Sequence, residues 1–411
     1  MKYGLIGERL GHSFSREIHE MLGGYEYELL EIPRDGLDAF MKKRDFTAIN
    51  VTIPYKEEVI PYLDFVSDKA KAIGAVNTIV NREGKLYGYN TDFSGMTDLI
   101  NNAKIEIKGK KVLIAGTGGT SKTSFAVAEA LGAREIVLVS RSAKEGAIIY
   151  DDAYANHTDA EIIINTTPVG MFPRAEGLSV EVDRFQSLEG AVDAIYNPLR
   201  TRFVQKARAA LAAADGGLYM LVAQGVRASE IFLGKAYPDG TVDKVYQKIL
   251  RSKENIVLSG MPGCGKSTIG RLLAERLGRP FIDLDDEIVK LAGKSITEIF
   301  AEGGESHFRD IETMAVRNAS SVSGAVIATG GGAILRDENV DLLKQNGRIY
   351  FLDRPIEQLM PTADRPLASS ADAIMKRYTE RFPRYCAVCD VHLKTDGVAE
   401  HTAEEIGKDF E

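Results

Sequence analysis

The chain has 411 residues, with 51 Lys and Arg against 59 Asp and Glu, which gives a formal net charge of −8. Domains usually hold about 100–200 residues, so this length predicts two or three of them. The acidic balance argues against nucleic acid or an anionic membrane as the main partner, whereas a local cluster of Arg and Lys could still bind small anions.

The sequence has no apolar run of about 18 residues, and its N-terminus lacks the apolar core of a secretory signal. Cysteine occurs only at Cys264, Cys386 and Cys389, which fits a reducing cytoplasm. Cys386 and Cys389 have CxxC spacing, but zinc would need about two further ligands, of which His392 could supply one. We therefore interpret this pair as partly buried packing residues in a cytoplasmic protein without a membrane span.

Apolar, β-rich runs alternate with helical patterns along nearly the whole chain, as in KVLIAG followed by SKTSFAVAEALG. That alternation predicts an α/β protein with parallel sheets covered by helices. Two glycine-rich strand–loop–helix units, one at Gly116 and one at Gly260, follow different phosphate-binding rules. They therefore indicate separate domains rather than copies of one.

The first glycine-rich loop follows a predicted strand at residues 112–115 and precedes a helix predicted to run to Gly132. Glycines let the backbone turn sharply and approach a pyrophosphate, which then meets a helix N-terminus. The loop has Ser121 where the motif ends on Gly or Ala, and a tight turn without a ligand is the alternative interpretation. The residues predicted to bind the dinucleotide are Gly116, Gly118, Gly119 and Thr120.

The end of the next predicted strand, residues 136–139, indicates which dinucleotide is bound. NAD-binding units usually place a carboxylate there for the ribose 2′-hydroxyl, whereas this chain has Ser140, Arg141 and Ser142. An Arg can pair with a 2′-phosphate, and Lys144 could assist it. We predict NADP(H) rather than NAD, with an exposed Arg on a solvated turn as the alternative.

Residues 1 to about 250 resemble shikimate dehydrogenase. The matching segments, in chain order, are GHSFS with Ser13 and Ser15, NVTIPYKEE with Asn50, Thr52 and Lys56, GAVNT with Asn77, GYNTD with Asp92, NTTPVGM at residues 165–171, DAIYNPLRT at 193–201, and LVAQG with Gln224. The resemblance implies a substrate domain formed by residues 1–100 and 216–250. It also implies a Rossmann-like NADP domain at residues 101–215.

The resemblance also implies roles. Reducing a ketone by hydride transfer creates an alkoxide that needs a proton; Lys56 would supply it as general acid, with Asp92 as its partner. The other implied substrate contacts are hydrogen-bonding groups, namely Ser13, Ser15, Asn50, Thr52, Asn77, Tyr196 and Gln224. The resemblance also implies that Gly217 is one of the cofactor-binding residues. Singly, such residues could also be turn residues, helix caps or a surface lysine.

The stretch between Arg141 and Asn165 is short for the family, so a strand–helix unit is expected to be trimmed.

The polar stretch at residues 251–255 is the predicted boundary to a third domain, residues 255–411. The segment GMPGCGKST at residues 260–268 satisfies the phosphate-binding pattern G-x-x-x-x-G-K-[ST] in full, after a strand predicted at 256–259. Such a loop holds phosphates with backbone N–H groups and its Lys, while the Ser binds Mg²⁺, so ATP and Mg²⁺ are predicted. The residues assigned to the nucleotide are Gly263, Cys264, Gly265, Lys266, Ser267 and Thr268.

Residues 255 to about 395 resemble shikimate kinase. The matching segments are FIDLDDEI with Asp283 and Asp285, HFRDIE with Arg309, ATGGGAI with Gly331, DRPL with Arg365, and ERFPRY with Arg381. The resemblance implies that Asp283 serves Mg²⁺ with Ser267, and that Asp285 orients the attacking hydroxyl. It further implies substrate contacts at Gly331 and at two arginines that hold a carboxylate, Arg309 and Arg381.

A lid over the kinase site is where the chain departs from that family. Arg365 would lie in this lid and approach the transferring phosphate. Only residues 360–364 separate it from Leu359, and Pro361 stands where the family has an adenine-stacking Arg. The shortened lid is expected to weaken ATP binding or closure.

Two motif sets that share one metabolite predict a bifunctional enzyme of the shikimate pathway. One half would reduce 3-dehydroshikimate with NADPH, and the other would phosphorylate shikimate with ATP and Mg²⁺. One alternative is a dehydrogenase that prefers quinate or NAD. A second is that one domain is a ligand-sensing module without turnover, which the presence of Lys56, Asp92, Lys266 and Asp285 argues against. Nothing in the motifs specifies an oligomeric state.

Overall fold

The computed structural model describes residues 2–11, 13–359 and 371–410, with residues 371–374 described by their backbone alone. The chain divides into two compact units, Met1–Ile249 and Leu250–Glu411. Both units are built from sheets covered by helices, which confirms the predicted α/β class. In the described part of the chain, no helix is both long and apolar enough to cross a bilayer.

The first unit begins with a six-stranded mixed sheet in the order β2-β1-β3-β5-β6-β4. Its strands are β1 (Tyr3–Gly7), β2 (Glu28–Glu31), β3 (Ala48–Val51), β4 (Phe65–Val66), β5 (Thr78–Arg82) and β6 (Lys85–Tyr89). Three helices lie between them in the chain: α1 (Ser15–Leu22), α2 (Leu37–Lys43) and α3 (Asp68–Ile73). Since β1 and β3 are parallel neighbours, the segments that follow them emerge at the same edge of the sheet.

The second sheet of this unit has six parallel strands in the order β12-β11-β10-β7-β8-β9. They are β7 (Lys111–Ala115), β8 (Glu135–Ser140), β9 (Ile148–Ile149), β10 (Ile162–Asn165), β11 (Gly190–Asp193) and β12 (Ala213–Asp215). The helices are α4 (Asp92–Asn102), α5 (Gly119–Ala130), α6 (Tyr150–Asn156), α7 (Arg202–Ala209), α8 (Leu218–Leu233) and α9 (Thr241–Lys253). This is the doubly wound arrangement that binds dinucleotides at the carboxyl ends of its strands.

Helices α4 and α8 tie the two sheets of the first unit together. Met96 of α4 and Met220 of α8 lie in the core under the second sheet, whereas Ala228 and Phe232 of α8 lie in the core under the first. The two helices approach closely at Gly95, where a Cβ atom would lie 2.7 Å from the Met220 carbonyl oxygen. The relative position of the two sheets therefore depends on this helix pair.

The second unit holds five parallel strands in the order β14-β15-β13-β16-β17. They are β13 (Asn255–Ser259), β14 (Phe281–Asp283), β15 (Val326–Ala328), β16 (Gly347–Asp353) and β17 (Val391–Lys394). The helices are α10 (Lys266–Leu277), α11 (Leu284–Ala292), α12 (Ile296–Ser320), α13 (Asp337–Asn346), α14 (Ala371–Val388) and α15 (Ala399–Phe410). Within α12, Gly304 has φ +69°, so the helix is kinked there.

The polar stretch at residues 251–255, expected to link two domains, is regular structure instead. Helix α9 continues to Lys253, and β13 already begins at Asn255. Asn255 is buried because its side chain pairs with backbone, donating to the Val322 carbonyl and accepting from the Ala325 N–H. The chain divides between Ile249 and Leu250, beside this stretch, but the polarity of Asn255 is satisfied inside the fold and does not mark a linker.

The interpretation of the CxxC pair as two partly buried residues is right for Cys389 and wrong for Cys386. Both thiols are free; Cys389 is half-buried against the core of the second unit, whereas Cys386 is exposed. Cys386 lies in the last turn of α14, on its exposed side, whereas Cys389 lies just after the helix ends at Val388 and packs against the core.

Candidate active sites

The glycine-rich loop after β7 turns sharply into α5. Gly116 has φ +118°, and a Cβ atom there would lie 2.3 Å from Thr166 Oγ1, so only glycine fits. A Cβ atom on Gly118 would meet open space. Ser121 Oγ donates to the Gly116 carbonyl at 2.7 Å. The last small residue of the motif therefore closes the turn, while the glycines before it leave room for a ligand.

A cavity of about 770 Å³ lies where this loop meets the end of β8. Seven of the predicted cofactor residues line it, namely Gly116, Gly118, Gly119, Thr120, Ser140, Arg141 and Ser142. Gly217 is not among the lining residues. It heads α8, where a Cβ atom would lie 2.3 Å from the Ala194 carbonyl oxygen, so close backbone packing accounts for this glycine.

Several features of the cavity fit an NADP(H) molecule. Exposed Arg141 and Lys144 bring two cations to its wall, and Lys144 Nζ donates to Thr117 Oγ1 at 3.0 Å. The Ser179 hydroxyl also lines the cavity, and it is buried without a hydrogen-bond partner among the described residues. A buried hydroxyl of this kind normally has a partner, so a polar ligand suits this wall.

The shortened stretch between Arg141 and Asn165 forms one side of the same cavity. It contains only the two-residue strand β9 and the seven-residue helix α6. Two aromatic side chains of α6, Tyr150 and Tyr154, line the cavity. They were not singled out from the sequence, because no nucleotide-binding pattern includes them. The available signal was their spacing of four residues, which places two side chains on one face of a helix.

Lys56 and Asp92 form the central ion pair of the first unit. Lys56 Nζ lies 2.7 Å from Asp92 Oδ2, and the two side chains are only 14% and 7% exposed. Asp92 begins α4, where the helix N-terminus stabilises a carboxylate. Lys56 also lines the cofactor cavity, and a Cβ atom on Gly119 would lie 3.6 Å from its side chain. The lysine thus stands where a substrate and a cofactor would meet.

A buried amide network lies beside this pair. Asn77 Nδ2 donates to Thr91 Oγ1 at 3.0 Å, and its Oδ1 accepts the Thr91 N–H at 2.7 Å. Gln224 Oε1 lies 3.5 Å from Asn77 Nδ2. Asn50 accepts from Tyr27 Oη at 2.7 Å and donates to the Asn77 carbonyl at 3.2 Å. Asn50 therefore holds Asn77 in place, and Thr91 is a member that the sequence did not reveal.

The remaining predicted substrate contacts of this unit come from three segments, which follow β1, β3 and β11. Ser13 Oγ donates to Ser15 Oγ at 3.1 Å. The Tyr196 ring lies 5.2 Å from that of Phe14; burial raises the pKa of Tyr196, and a hydrogen bond with Ser13 opposes the rise. The structure thus brings Ser13, Ser15 and Tyr196 together. Thr52 lies just after β3, and its N–H donates to the Ile6 carbonyl.

Asp193, at the end of β11, organises the loop that carries Tyr196. Its carboxylate is fully buried and accepts hydrogen bonds from Asn165 Nδ2 at 2.9 Å, the Ile195 N–H at 3.0 Å and Thr201 Oγ1 at 2.6 Å. Burial nevertheless raises the pKa of Asp193 from 3.8 to about 7, because these three hydrogen bonds only partly replace water. Between pH 3.8 and about 7, the folded chain therefore keeps a proton on Asp193 that the unfolded chain has lost.

Replacing Asp193 by Asn should flatten the pH dependence of stability. A carboxyl whose pKa is raised on folding weakens the fold as pH rises from about 4 to about 7, by at most about 4 kcal/mol. Thermal unfolding of the full chain at pH 5 and at pH 8, followed by circular dichroism, measures the difference. Asp183→Asn is the matched control, since Asp183 is exposed and pairs with Lys206. Equal pH dependence in the wild type and Asp193→Asn would contradict this prediction.

The phosphate-binding loop of the second unit joins β13 to α10. Gly263 and Gly265 have φ +82° and +97°, which favours glycine at both positions. Lys266 Nζ donates to the carbonyls of Gly260 and Met261, at 2.9 Å each. Cys264 is buried, with its sulfur 3.6 Å from the same ammonium. Thus Cys264 packs beneath the loop, while the glycines shape the turn that would surround a phosphate.

The residues predicted to bind Mg²⁺ stand on neighbouring elements. Ser267 and Thr268 lie in the first turn of α10, and Asp283 ends β14, where its Oδ1 accepts the Asp285 N–H at 3.0 Å. Among the described residues, no group of three or more His, Cys, Asp and Glu side chains could hold a metal. Mg²⁺ in nucleotide sites takes few protein ligands and completes its shell with phosphates and water, so one hydroxyl and one carboxylate fit it.

The loop after β15, residues 330–332, gathers the predicted acceptor-binding residues. A Cβ atom on Gly330 would lie 3.3 Å from Asp285 Oδ1, and one on Gly332 would lie 2.3 Å from Arg309 Nη2. Arg381 Nη1 donates to the Gly331 carbonyl at 3.0 Å. Side chains from α11, α12 and α14 therefore converge on one glycine loop. Any side chain at Gly332 would displace the guanidinium of Arg309.

Buried charges are balanced within this pocket. Arg309 Nη1 pairs with Glu312 at 2.7 Å, and its Nη2 pairs with Glu305 at 3.0 Å. Burial favours neutral Arg309, but the two carboxylates outweigh it and hold the pKa of Arg309 above its ordinary value. Burial also raises the pKa of Glu312, which Arg309 opposes. The charge of Arg309 is thus largely compensated by its own neighbours.

One residue of the acceptor pocket, Tyr385, was not predicted from the sequence, and the residues of the expected lid are not described by the structure. Tyr385 donates its hydroxyl to the Gly331 carbonyl at 2.5 Å, one helical turn beyond Arg381, and its signal was that spacing. Arg365 and Pro361, the residues of the expected lid, lie outside the described part of the chain. Their roles therefore remain predictions.

The fold and sites define two catalytic classes in one chain: a dinucleotide-dependent dehydrogenase and a P-loop kinase. Comparison with known proteins gives the family. Residues 5–79 match the model of the shikimate dehydrogenase substrate binding domain, and residues 262–411 match the model of shikimate kinase.

Relatives of known identity extend the match over the whole first unit. Shikimate dehydrogenase (NADP(+)) of Clostridium perfringens is 37% identical over 265 residues, covering 60% of this chain and 97% of the relative. The structure of shikimate dehydrogenase 1 from Peptoclostridium difficile is 35% identical, with a TM-score of 0.56, and covers 61% of this chain and 98% of that one. Shikimate 5-dehydrogenase of Thermus thermophilus, solved with NADP(H) and shikimate, is 29% identical, with a TM-score of 0.54, and covers 60% and 99%. The chain belongs to the shikimate dehydrogenase family and carries a shikimate kinase domain, which confirms both predicted resemblances.

Proposed function

We propose that the protein is a bifunctional enzyme of the shikimate pathway. Its first unit reduces 3-dehydroshikimate to shikimate with NADPH, and its second phosphorylates shikimate to shikimate 3-phosphate with ATP and Mg²⁺. One observation carries the proposal. A dehydrogenase-family unit with the Lys56–Asp92 pair in place is joined to a shikimate kinase domain with a formed acceptor pocket. The product of the first reaction is the acceptor of the second.

In the first reaction, bound NADPH supplies the hydride that reduces the ketone. Lys56 delivers a proton to the alkoxide oxygen, and Asp92 orients and stabilises the ammonium that holds it. The amides of Asn77 and Gln224 hold ring hydroxyls, while Ser13 and Ser15 hold the carboxylate end. Residues 1–100 and 216–250 act as the substrate domain, since α8 packs against α1 and α4, and residues 101–215 hold the dinucleotide.

In the second reaction, bound ATP supplies the phosphoryl group and Mg²⁺ neutralises its charge. Asp285 accepts a hydrogen bond from the attacking hydroxyl and orients it. Arg309 and Arg381 hold the acceptor carboxylate. Lys266 exchanges its loop carbonyls for phosphate oxygens when the nucleotide binds. Arg365 approaches the transferring phosphate.

The three free thiols suit a reducing cytoplasm, where we place both reactions.

Assays on the purified full chain test the two halves separately. Oxidation of NADPH with 3-dehydroshikimate and formation of ADP with shikimate are the expected results. If one reaction does not occur, the proposed activity of that unit is rejected, and the ligand-sensing alternative applies to it. Comparing kcat/KM for shikimate and quinate, each with NADP and NAD, tests the quinate or NAD alternative.

Substituting Arg141 by Gln should weaken NADPH specifically. A charge-assisted pair between an Arg and a phosphate contributes about 1.5–3 kcal/mol, so we expect the KM for NADPH to rise about 10–100-fold. NADH lacks the 2′-phosphate, so its KM should barely change and serves as the internal control. An equal rise for both cofactors would show that Arg141 supports the cavity wall rather than recognising the phosphate.

A further inference from the structure

An additional arginine on α14 points to the acceptor pocket of the kinase unit. Helix α14 presents Arg377, Arg381 and Tyr385 at intervals of four residues, which places them on one face. Two of these side chains, Arg381 and Tyr385, reach the carbonyl oxygen of Gly331. Arg377 therefore lies one turn before Arg381 on the face that meets the glycine loop at residues 330–332.

The guanidinium of Arg377 has hydrogen-bonding capacity that the fold leaves unused. Its Nη1 is buried without a partner among the described residues. Buried N–H groups, especially charged ones, normally have an acceptor, because leaving one unpaired costs about 1–3 kcal/mol or more. Burial lowers the pKa of Arg377, and the positive charges of Arg381 and Arg309 lower it further, against Glu305 and Glu380. Arg377 thus lies close to two other guanidinium groups, and an anion bound among them would stabilise their charges.

The arginines near the glycine loop differ in the ion pairs that they make. Arg309 already makes short ion pairs with Glu312 and Glu305. Within the described part of the chain, neither Arg377 nor Arg381 makes an ion pair with a carboxylate within 4.0 Å. Among the described residues, Arg377 and Arg381 therefore differ from Arg309 in making no short ion pair, although Glu305 and Glu380 lie near enough to Arg377 to act on its pKa.

We propose that Arg377 is a further binding residue for the carboxylate of the kinase acceptor, acting together with Arg381. This inference rests on the proposed function of the second unit. A carboxylate has two oxygens, and two guanidinium groups on successive helical turns can each donate to one of them. Arg309, which also pairs with Glu305 and Glu312, holds the same carboxylate from α12.

Kinase kinetics of Arg377→Gln in the full chain test the proposal. Loss of a charge-assisted hydrogen bond of about 1.5–3 kcal/mol corresponds to a rise of about 10–100-fold in the KM for shikimate. The KM for ATP and the kcat should stay close to wild type, and Arg377→Lys should recover part of the affinity. Lys376→Gln removes the same charge from an exposed neighbour on α14 and should leave all constants unchanged.

The methyl ester of shikimate separates carboxylate recognition from a structural role. Wild-type enzyme should prefer the acid to the ester, and Arg377→Gln should lose part of that preference, since Arg381 still binds the carboxylate. An unchanged preference, a rise in the KM for ATP alone, or a fall in kcat alone would each overturn the inference. A kcat and a KM for ATP close to wild type show that the kinase unit of the variant is folded. If the wild type forms no ADP with shikimate, the proposed function fails instead, so the two failures are distinguishable.

Discussion

Replacing Lys56 by Met should slow the reduction of 3-dehydroshikimate by about 10²–10⁴-fold, the usual contribution of a general acid. Methionine keeps much of the length of the side chain but carries no proton, and it leaves the buried Asp92 without its ion-pair partner. Phosphorylation of shikimate by the same protein should continue at the wild-type rate. Steady-state assays of both reactions on one preparation give the result.

Two further variants sharpen this test. Asp92→Asn keeps Lys56 in place but removes the negative charge beside it, so the rate should fall while the pH profile of kcat changes. Lys42→Met breaks an exposed Lys–Asp pair in the same unit, between Lys42 and Asp38, and should leave both activities intact. Equal losses of both activities in Lys56→Met would indicate misfolding and count against a catalytic role for the lysine.

Asp285→Asn should lower the kcat of shikimate phosphorylation by about 10²–10⁴-fold if Asp285 accepts the hydrogen bond of the attacking hydroxyl. Asparagine has the same shape, and its backbone N–H can still donate to the Asp283 cap of α11, so the fold should persist. Only the negative oxygen that faces Gly330 is lost. The measurement is ADP formation at saturating ATP and shikimate.

Asp286→Asn is the neighbouring control for this prediction. Asp286 is exposed and lies 3.7 Å from Arg271, so its loss should change the rate little. Dehydrogenase activity should be unchanged in both variants. A kcat within about twofold of wild type for Asp285→Asn would exclude Asp285 from the hydroxyl-orienting role.

Local patterns in the sequence were sufficient for the nucleotide loops. A buried strand, a glycine turn and a helix follow one another within about ten residues at Gly116 and at Gly260, and local geometry is what glycine controls. The alternation of apolar strands with helical patterns likewise predicted the sheet class. Both kinds of signal are short-range, so they need no knowledge of the rest of the fold.

Pairs formed between distant elements could not be predicted from the residues alone. Lys56 and Asp92 lie 36 residues apart, and only the family resemblance put them together before the structure did. Thr91 and Tyr385 belong to the sites because of the residues that pack beside them, namely Asn77 and Gly331. Arg377 belongs to no motif, and its interest arises only from burial and from its arginine neighbours. Asn255 shows the converse, since its polarity suggested a linker although the fold buries it.

The contact between Gly119 and Lys56 has a mechanical consequence. Lys56 follows β3 of the first sheet, whereas Gly119 follows β7 of the second, so in the proposed reaction the proton donor and the dinucleotide loop belong to separate sheets. The distance between them therefore depends on how α4 and α8 hold the two sheets together. A displacement of about 1 Å in a reacting group can cost about 10²-fold in rate. The tight helix crossing at Gly95, one helical turn from Asp92, is thus expected to affect the rate of the proposed reduction.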